Sequence, residues 1–367
     1  MRSFKAKGSQ NTRNLRGILS FCVPLVLAFL LLSLSAKITL AQDWVVTGTQ
    51  VVENDAIALN GNLIVENGGN LTLRAVTLTM NNSYNGEYGI RVKSGGAITI
   101  EEGSVITATS DSDRFSFAVE SGARFLMRNS ELSRCGWGPD SEDLWDKVPI
   151  LSGMRGLVID TSNAVIEGNT LSNNHVGIIL TGYGITLDNN HIHSNKVHGI
   201  YIRGGLTCQI TNNSIQHSSI SSPFRIVEGE DNTIKSNTIT LSSIPRGVIE
   251  TMFSHGNVIE ENDISGMGAG ISLMFVSNNN TVRGNTISMD ESGIMVWGWN
   301  NRVEGNIISD SSEIMGTGIY MLYAYNSIVS NNTITNINYE GMWLRRSSHN
   351  TIINNQISAS SSYNTAW

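Results

Sequence analysis

One phrase recurs along the C-terminal half of this chain and restricts its fold more than any other feature. NTIKSNTI, NVIEENDI, NTVRGNTI, NRVEGNII and NTIINNQI all read Asn-x-aliphatic-x-x-Asn-x-Ile. With the second Asn as origin the series runs Asn169, Asn190, Asn213, Asn237, Asn262, Asn285, Asn306, Asn332 and Asn355, at spacings of 21, 23, 24, 25, 23, 21, 26 and 23 residues. A period near 23 marks a repeat architecture, in which a unit too small to bury its own apolar face buries it against its neighbours.

Three positions before each Asn stands Ile166, Leu187, Ile210, Ile234, Ile259, Val282, Val303, Val329 or Ile352, and two positions after it Leu171, Ile192, Ile215, Ile239, Ile264, Ile287, Ile308, Ile334 or Ile357. These offsets differ in parity, so one straight strand cannot point both inward, and the chain must turn a corner at or just before the Asn. An Asn stacked at that bend tolerates unusual backbone angles and can pass amide hydrogen bonds from coil to coil. A third short strand follows, visible as Gly-led segments at Gly177, Gly199, Gly247, Gly270, Gly293, Gly318 and Gly341. Three strands per turn, stacked at about 4.8 Å per coil, make an all-β parallel β-helix solenoid forming a single domain. A leucine-rich repeat fails, because its Leu pattern and helical half are absent.

Looser copies set residues 42–135 as an N-terminal cap and first coils, with Leu71, Ala97 and Ala123 as equivalent positions. Residues 136–150, rich in acids and carrying two Trp, break every period and read as an excursion loop, and 151–367 are the regular coils. The segment 1–41 combines six basic residues, no acid and an apolar run from Ile18 to Leu34, the pattern of a signal peptide, with an uncleaved anchor as the alternative. The expectation is a secreted, periplasmic or cell-surface protein with no membrane contact after cleavage. Without that segment 18 Lys and Arg face 31 Asp and Glu, which disfavours nucleic acid as a partner. Cys135 and Cys208 are too few for a disulfide framework.

The chain resembles the right-handed parallel β-helix proteins of the pectin-lyase-like superfamily, in the carbohydrate-binding and sugar-hydrolase repeat group, over about residues 45 to 358. The alternation of NxIxxNxI with Gly-Ile-x-aliphatic is most similar to NosD-type periplasmic proteins that serve copper-site maturation of nitrous oxide reductase. The resemblance implies a polysaccharide ligand or, alternatively, a copper-handling or scaffolding role. The paired-Asp motif of polygalacturonases, the Arg-rich signature of pectate lyases and Ser or Cys triads are all missing, so no family catalytic residue carries over.

The residues themselves offer three candidate sites. Aligning the third strands on their Gly places Glu228 and Glu250 on neighbouring inward rungs, with Arg225 and Arg246 just upstream and His198 nearby. Stacked carboxylates of this kind can serve as acid and base on a glycosidic bond, with Arg or His steadying an anionic sugar, unless the strand rolls outward and they form ordinary surface pairs. His191, His193 and His217 suggest a surface metal patch, since imidazoles at that spacing suit copper or zinc, with calcium also considered as a bound ion, against the plainer reading of solvated turn histidines. Tyr201, Tyr320 and Trp343 on the outward row, with Trp297 and Trp299 in turns, gather rings suited to stacking on sugars, or to being covered by a loop or another chain. Exposed end coils or faces could also pair with a second copy.

Overall fold

The computed structural model describes residues 38–138, 153–217, 221–242, 247–309 and 316–359. These form a parallel solenoid of three sheets, with 14, 13 and 13 strands, in which every third strand in the sequence is a neighbour in space. We call them sheets A, B and C. A typical coil runs through Thr233–Lys235 (sheet C), Thr238–Leu241 (sheet A) and Ile249–Met252 (sheet B).

The parity argument holds. Ile234, Ile259, Val282, Val303 and Val329 line the core from sheet C, and Ile239, Ile264, Ile287, Ile308 and Ile334 from sheet A, all essentially fully buried. Each such side chain contributes roughly 1.5–3 kcal/mol by leaving water. The burial comes from neighbouring coils rather than from the coil itself: the equivalent Ile352 and Ile357, with no described coil beyond them, are 43% and 50% exposed.

The Asn ladder is continuous from Asn169 to Asn355, each Nδ2 donating to the next Oδ1. Asn237 Nδ2 also donates to the Ile210 carbonyl at 2.9 Å, and Asn262 Oδ1 takes the Asn237 backbone N–H at 2.9 Å as well. The unusual backbone angle belongs to the residue before each ladder Asn: Ser236, Glu261 and Asn331 have φ of 55°, 56° and 56°, and Gly168, Gly284 and Gly305 take the same role. The first Asn of the phrase builds a second ladder, Asn232 to Asn257 to Asn280 to Asn301, which continues through Ser327 to Asn350.

Two expectations of register change. Leu71 pairs with Ile98, and Ala97 with Arg124, so the first coils are offset by one residue from the Leu71, Ala97 and Ala123 alignment. Such a slip exchanges inner and outer faces; these coils repeat at 27 residues rather than 26, with Gly68, Gly95 and Gly122 on equivalent turns at φ of 81°, 78° and 80°. Ile38–Leu40, expected in the leader, pairs with Ile57–Leu59 as the first strand of sheet A. The apolar run of the leader and nearly all of the 136–150 segment lie outside the described residues.

Candidate functional site

The outward row of sheet B reads Ile179, Tyr201, Arg225, Glu250, Ser272, Met295, Tyr320 and Trp343. Glu228 is not on it. It lies just past its strand, exposed, in a turn with φ 54°, so the expected stack of Glu228 on Glu250 does not form. The rung beside Glu250 holds Arg225, whose Nε lies 3.5 Å from Glu250 Oε2. The Gly anchors misled here because the coil at Gly247 has one extra residue before its strand and the coil at Arg225 has no Gly. Arg246 lies outside the described residues.

The part of this outward row from Tyr201 to Glu250 is closed. Tyr201, Arg225 and Glu250 are each under 5% exposed and share the outer side of sheet B with a second apolar cluster that includes Val158, Val176, Ile179, Val227 and Met252. Ser222 Oγ donates to Glu250 Oε2 at 3.1 Å, and Arg225 Nη2 reaches Met252 Sδ at 3.0 Å. The His198 ring stacks on Tyr201 with centroids 5.5 Å apart, and its Nδ1 meets the Ser222 carbonyl at 2.5 Å. Arg155 and His175 adjoin, with Nη1 and Nε2 3.3 Å apart.

Burial dominates the proton affinities. It drives His198 down to about 3, against a smaller opposing effect of the Ser222 carbonyl, while Arg225, His217 and His175 push it further down. The same cause takes His217 to about 4 and raises the Tyr201 phenol. A base this weak is poorly matched to chemistry near neutral pH. In this closed arrangement Arg225, Glu250 and His198 form a buried polar layer. Tyr201 is not an exposed platform for a sugar.

The open feature lies at the corner after sheet B. Phe253, Phe275 and Tyr323 each sit three residues past the outward row, with φ of 50°, 49° and 49°, and their rings form a file with Trp297. Centroids are 5.8 Å apart from Phe253 to Phe275, 5.1 Å from there to Trp297 and 5.6 Å from Trp297 to Tyr323. The Arg346 guanidinium extends the file, 5.4 Å from the Tyr323 ring centre. Beside it, Val276, Trp297, Gly298, Trp299, Tyr323 and Tyr325 line a concavity of about 390 Å³. Gly298, at φ 152°, allows the two Trp to splay, since a Cβ there would meet the Ser277 carbonyl at 2.2 Å. On the adjoining face Tyr320 stacks on Trp343 at 4.7 Å, with Arg345 6.0 Å over the indole.

The structure thus brings Trp297 and Trp299 together with Tyr323 and Tyr325, puts Tyr320 and Trp343 next to them, and removes Tyr201. Phe253 and Phe275 were missed because they stand six and five residues after Gly247 and Gly270, and only the strand register brings them to the same offset. Trp299 is 48% exposed, whereas faces within the file are partly covered by one another, so Trp299 and the open ring edges are what a ligand would meet.

His191 and His193 lie on one outward face of sheet A, and their ring centres are 4.5 Å apart. His217 does not join them on that face. It pairs in register with core-facing Leu241 and is buried, although its edge lines a concavity of about 310 Å³ with His193, Gln216 and Thr240. Among the described residues no three His, Cys, Asp or Glu side chains converge on a metal position. Among the described residues Cys135 and Cys208 are buried free thiols. No helix among the described residues is long and apolar enough to cross a membrane.

The family profile for the right-handed β-helix region matches residues 61–218 and 156–296, together well over half of the chain. The chain belongs to the right-handed β-helix family. A second profile, for the periplasmic copper-binding protein NosD, matches residues 242–365. No curated protein matches. Among solved structures the coils are similar to the periplasmic alginate epimerase AlgG, with TM-score 0.63 and 13% identity over 85% of this chain and 78% of that one. They are also similar to the A-module of the mannuronan C-5 epimerase AlgE4 from Azotobacter vinelandii, with TM-score 0.56 and 16% identity over 80% and 87%. At these identities the likeness is one of fold.

Proposed function

We propose that this β-helix protein is exported and binds a polysaccharide at the corner after sheet B, with processing of the bound chain as the wider possibility of the same reading. One observation carries it: an open aromatic concavity at Trp297, Trp299, Tyr323 and Tyr325, continued along the solenoid by Phe253 and Phe275 and flanked by Tyr320 and Trp343. Flat rings recurring once per coil suit a ligand that is itself a linear repeat, and each ring edge or face can cover sugar C–H bonds. The names of AlgG, an alginate epimerase, and AlgE4, a mannuronan epimerase, agree with this class of ligand, and the periplasmic setting named for AlgG and NosD agrees with an extracytoplasmic location.

Turnover of a bound chain would fall to Glu250, Arg225 and His198, and would require their closed layer to open. Affinity electrophoresis through gels containing neutral and anionic polysaccharides tests binding directly. At least one polymer should retard the wild type, and Trp299→Ala with Tyr325→Ala should weaken that retardation on the order of tenfold, as expected for loss of central aromatic anchors. Glu228→Gln, on an exposed turn, should change nothing. Unaltered mobility of the wild type in every gel, or equal retardation of the aromatic variant, would remove the proposal.

The second reading, a NosD-like copper-handling or scaffold protein, is favoured by the profile match at residues 242–365. That span contains His255 and His349 but none of His191, His193 or His217. The match therefore speaks for the coil repeat rather than for these histidines.

A further inference from the structure

Given the polysaccharide reading, on which this rests, we infer that the aromatic corner is a track for one extended 1,4-linked glycan chain laid along the solenoid axis, so that it recognises a run of sugars rather than a chain end. The register sets Phe253, Phe275 and Tyr323 at one position of their coils, a position that Gly204 and Gly298 hold in two others. Gly204 makes the turn at φ 64°, and Phe253, Phe275 and Tyr323 take the same left-handed conformation at 50°, 49° and 49°. That conformation is open to Gly and costly for a bulky side chain. Where Gly298 stands instead, Trp297 supplies the ring from one residue earlier. Successive coils therefore keep a ring at a corner whose turn does not need one, and three of them hold it on strained backbone, which is a mark of a binding position. The file also leaves apolar surface in water: Phe253 is 43%, Val276 40% and Trp299 48% exposed.

The steps between ring centres, 5.8, 5.1 and 5.6 Å, follow the coil spacing of about 4.8 Å. They are close to the advance of one pyranose in an extended 1,4-linked chain. A chain laid on the file thus meets an equivalent ring edge at each sugar, whose partly positive C–H rim faces hydroxyl oxygens, while Val276 and Trp299 cover sugar C–H groups. The rings stop at Phe253, because the next coil towards the N-terminus carries Glu228 there, and at Tyr323, over whose ring Arg346 lies. The track is therefore about four coils long, and each added sugar should add contact up to about that number and none beyond it.

Calorimetric titration with cello-oligosaccharides and with oligomannuronates, from two to about eight sugars in each series, tests this length dependence. At least one series should tighten on the order of tenfold between two sugars and about four or five, then level off. Phe253→Gly, which accepts φ 50° without strain, should keep the circular dichroism spectrum and lower the affinity for five sugars about fivefold, with that for two sugars, seated at Trp297 and Trp299, unchanged. Should that variant fail to fold, the length series of the wild type decides alone. Affinity already complete at two sugars, or equal affinity of variant and wild type for five, overturns the track and leaves polysaccharide binding in place. Silence of both series in a protein that other polymers retard in the gels overturns it too, whereas silence in the gels as well removes the underlying reading.

Discussion

Asn262→Ala should lower the stability of the solenoid by about 4 kcal/mol, a large change for one exchange of a small polar side chain. Asn262 Oδ1 accepts both the backbone N–H and the Nδ2 of Asn237, and its own Nδ2 donates to the Ile234 carbonyl at 3.0 Å and to Asn285 Oδ1 at 2.9 Å. Truncation leaves the Asn237 donors and the Ile234 carbonyl unpaired where water does not reach, at about 1–3 kcal/mol for each buried group. Asn355→Ala, on the same ladder but partly exposed, should cost less than about 1 kcal/mol, because solvent replaces the lost partners. Urea midpoints give the comparison. Since repeat arrays can unfold in parts, amide exchange in coils 237 to 285 should be followed alongside. Equal losses for the two variants would show that the ladder is not what the buried corner depends on.

Acid should destabilise the protein well before its surface carboxylates protonate. His198 and His217 titrate near 6.5 in the unfolded chain but at about 3 and about 4 when folded, because burial excludes the charged ring. The unfolded state therefore binds more protons between these values, so the contribution of both rings is complete above pH 6.5 and is lost as pH falls towards 3. By pH 4 the loss is on the order of 5 kcal/mol for the two together. Urea unfolding at pH 7.5, 5.5 and 4.0 should show a steep decline in the wild type and a much shallower one in His198→Gln/His217→Gln. Parallel declines would mean that the rings are hydrated in the folded chain.

The regular coils were legible because the period, the parity and the Asn phrase are enforced by the same contacts at every rung. Ile234 and Ile239 could be assigned to different sheets from their offsets alone, and both are fully buried. The second ladder was written in the same phrase, in Asn232, Asn257, Asn280 and Asn301, and needed only the first Asn to be given the weight of the second. Sheet B was harder to read. One extra residue before Ile249 moves Glu250 from the inward to the outward row, and no local signal distinguishes an insertion in a turn from one in a strand. The exposed aromatic corner was half legible, since Trp297, Trp299, Tyr320 and Trp343 stood out by composition while Phe253 and Phe275 required the register.

The recurring amides and their flanking aliphatic residues were enough to specify three parallel sheets wound around one core, because a side chain that repeats at fixed spacing must meet its own kind in every coil. Which side chains meet across the outer surface was decided only in three dimensions. There Arg225 rather than Glu228 came to lie beside Glu250, Tyr201 was buried, and His217 was turned away from the face shared by His191 and His193. The physical reason is that core positions are held by burial repeated over many rungs, whereas outer contacts depend on the lengths of the turns between strands, which vary from coil to coil and shift a residue by a whole face when they change by one.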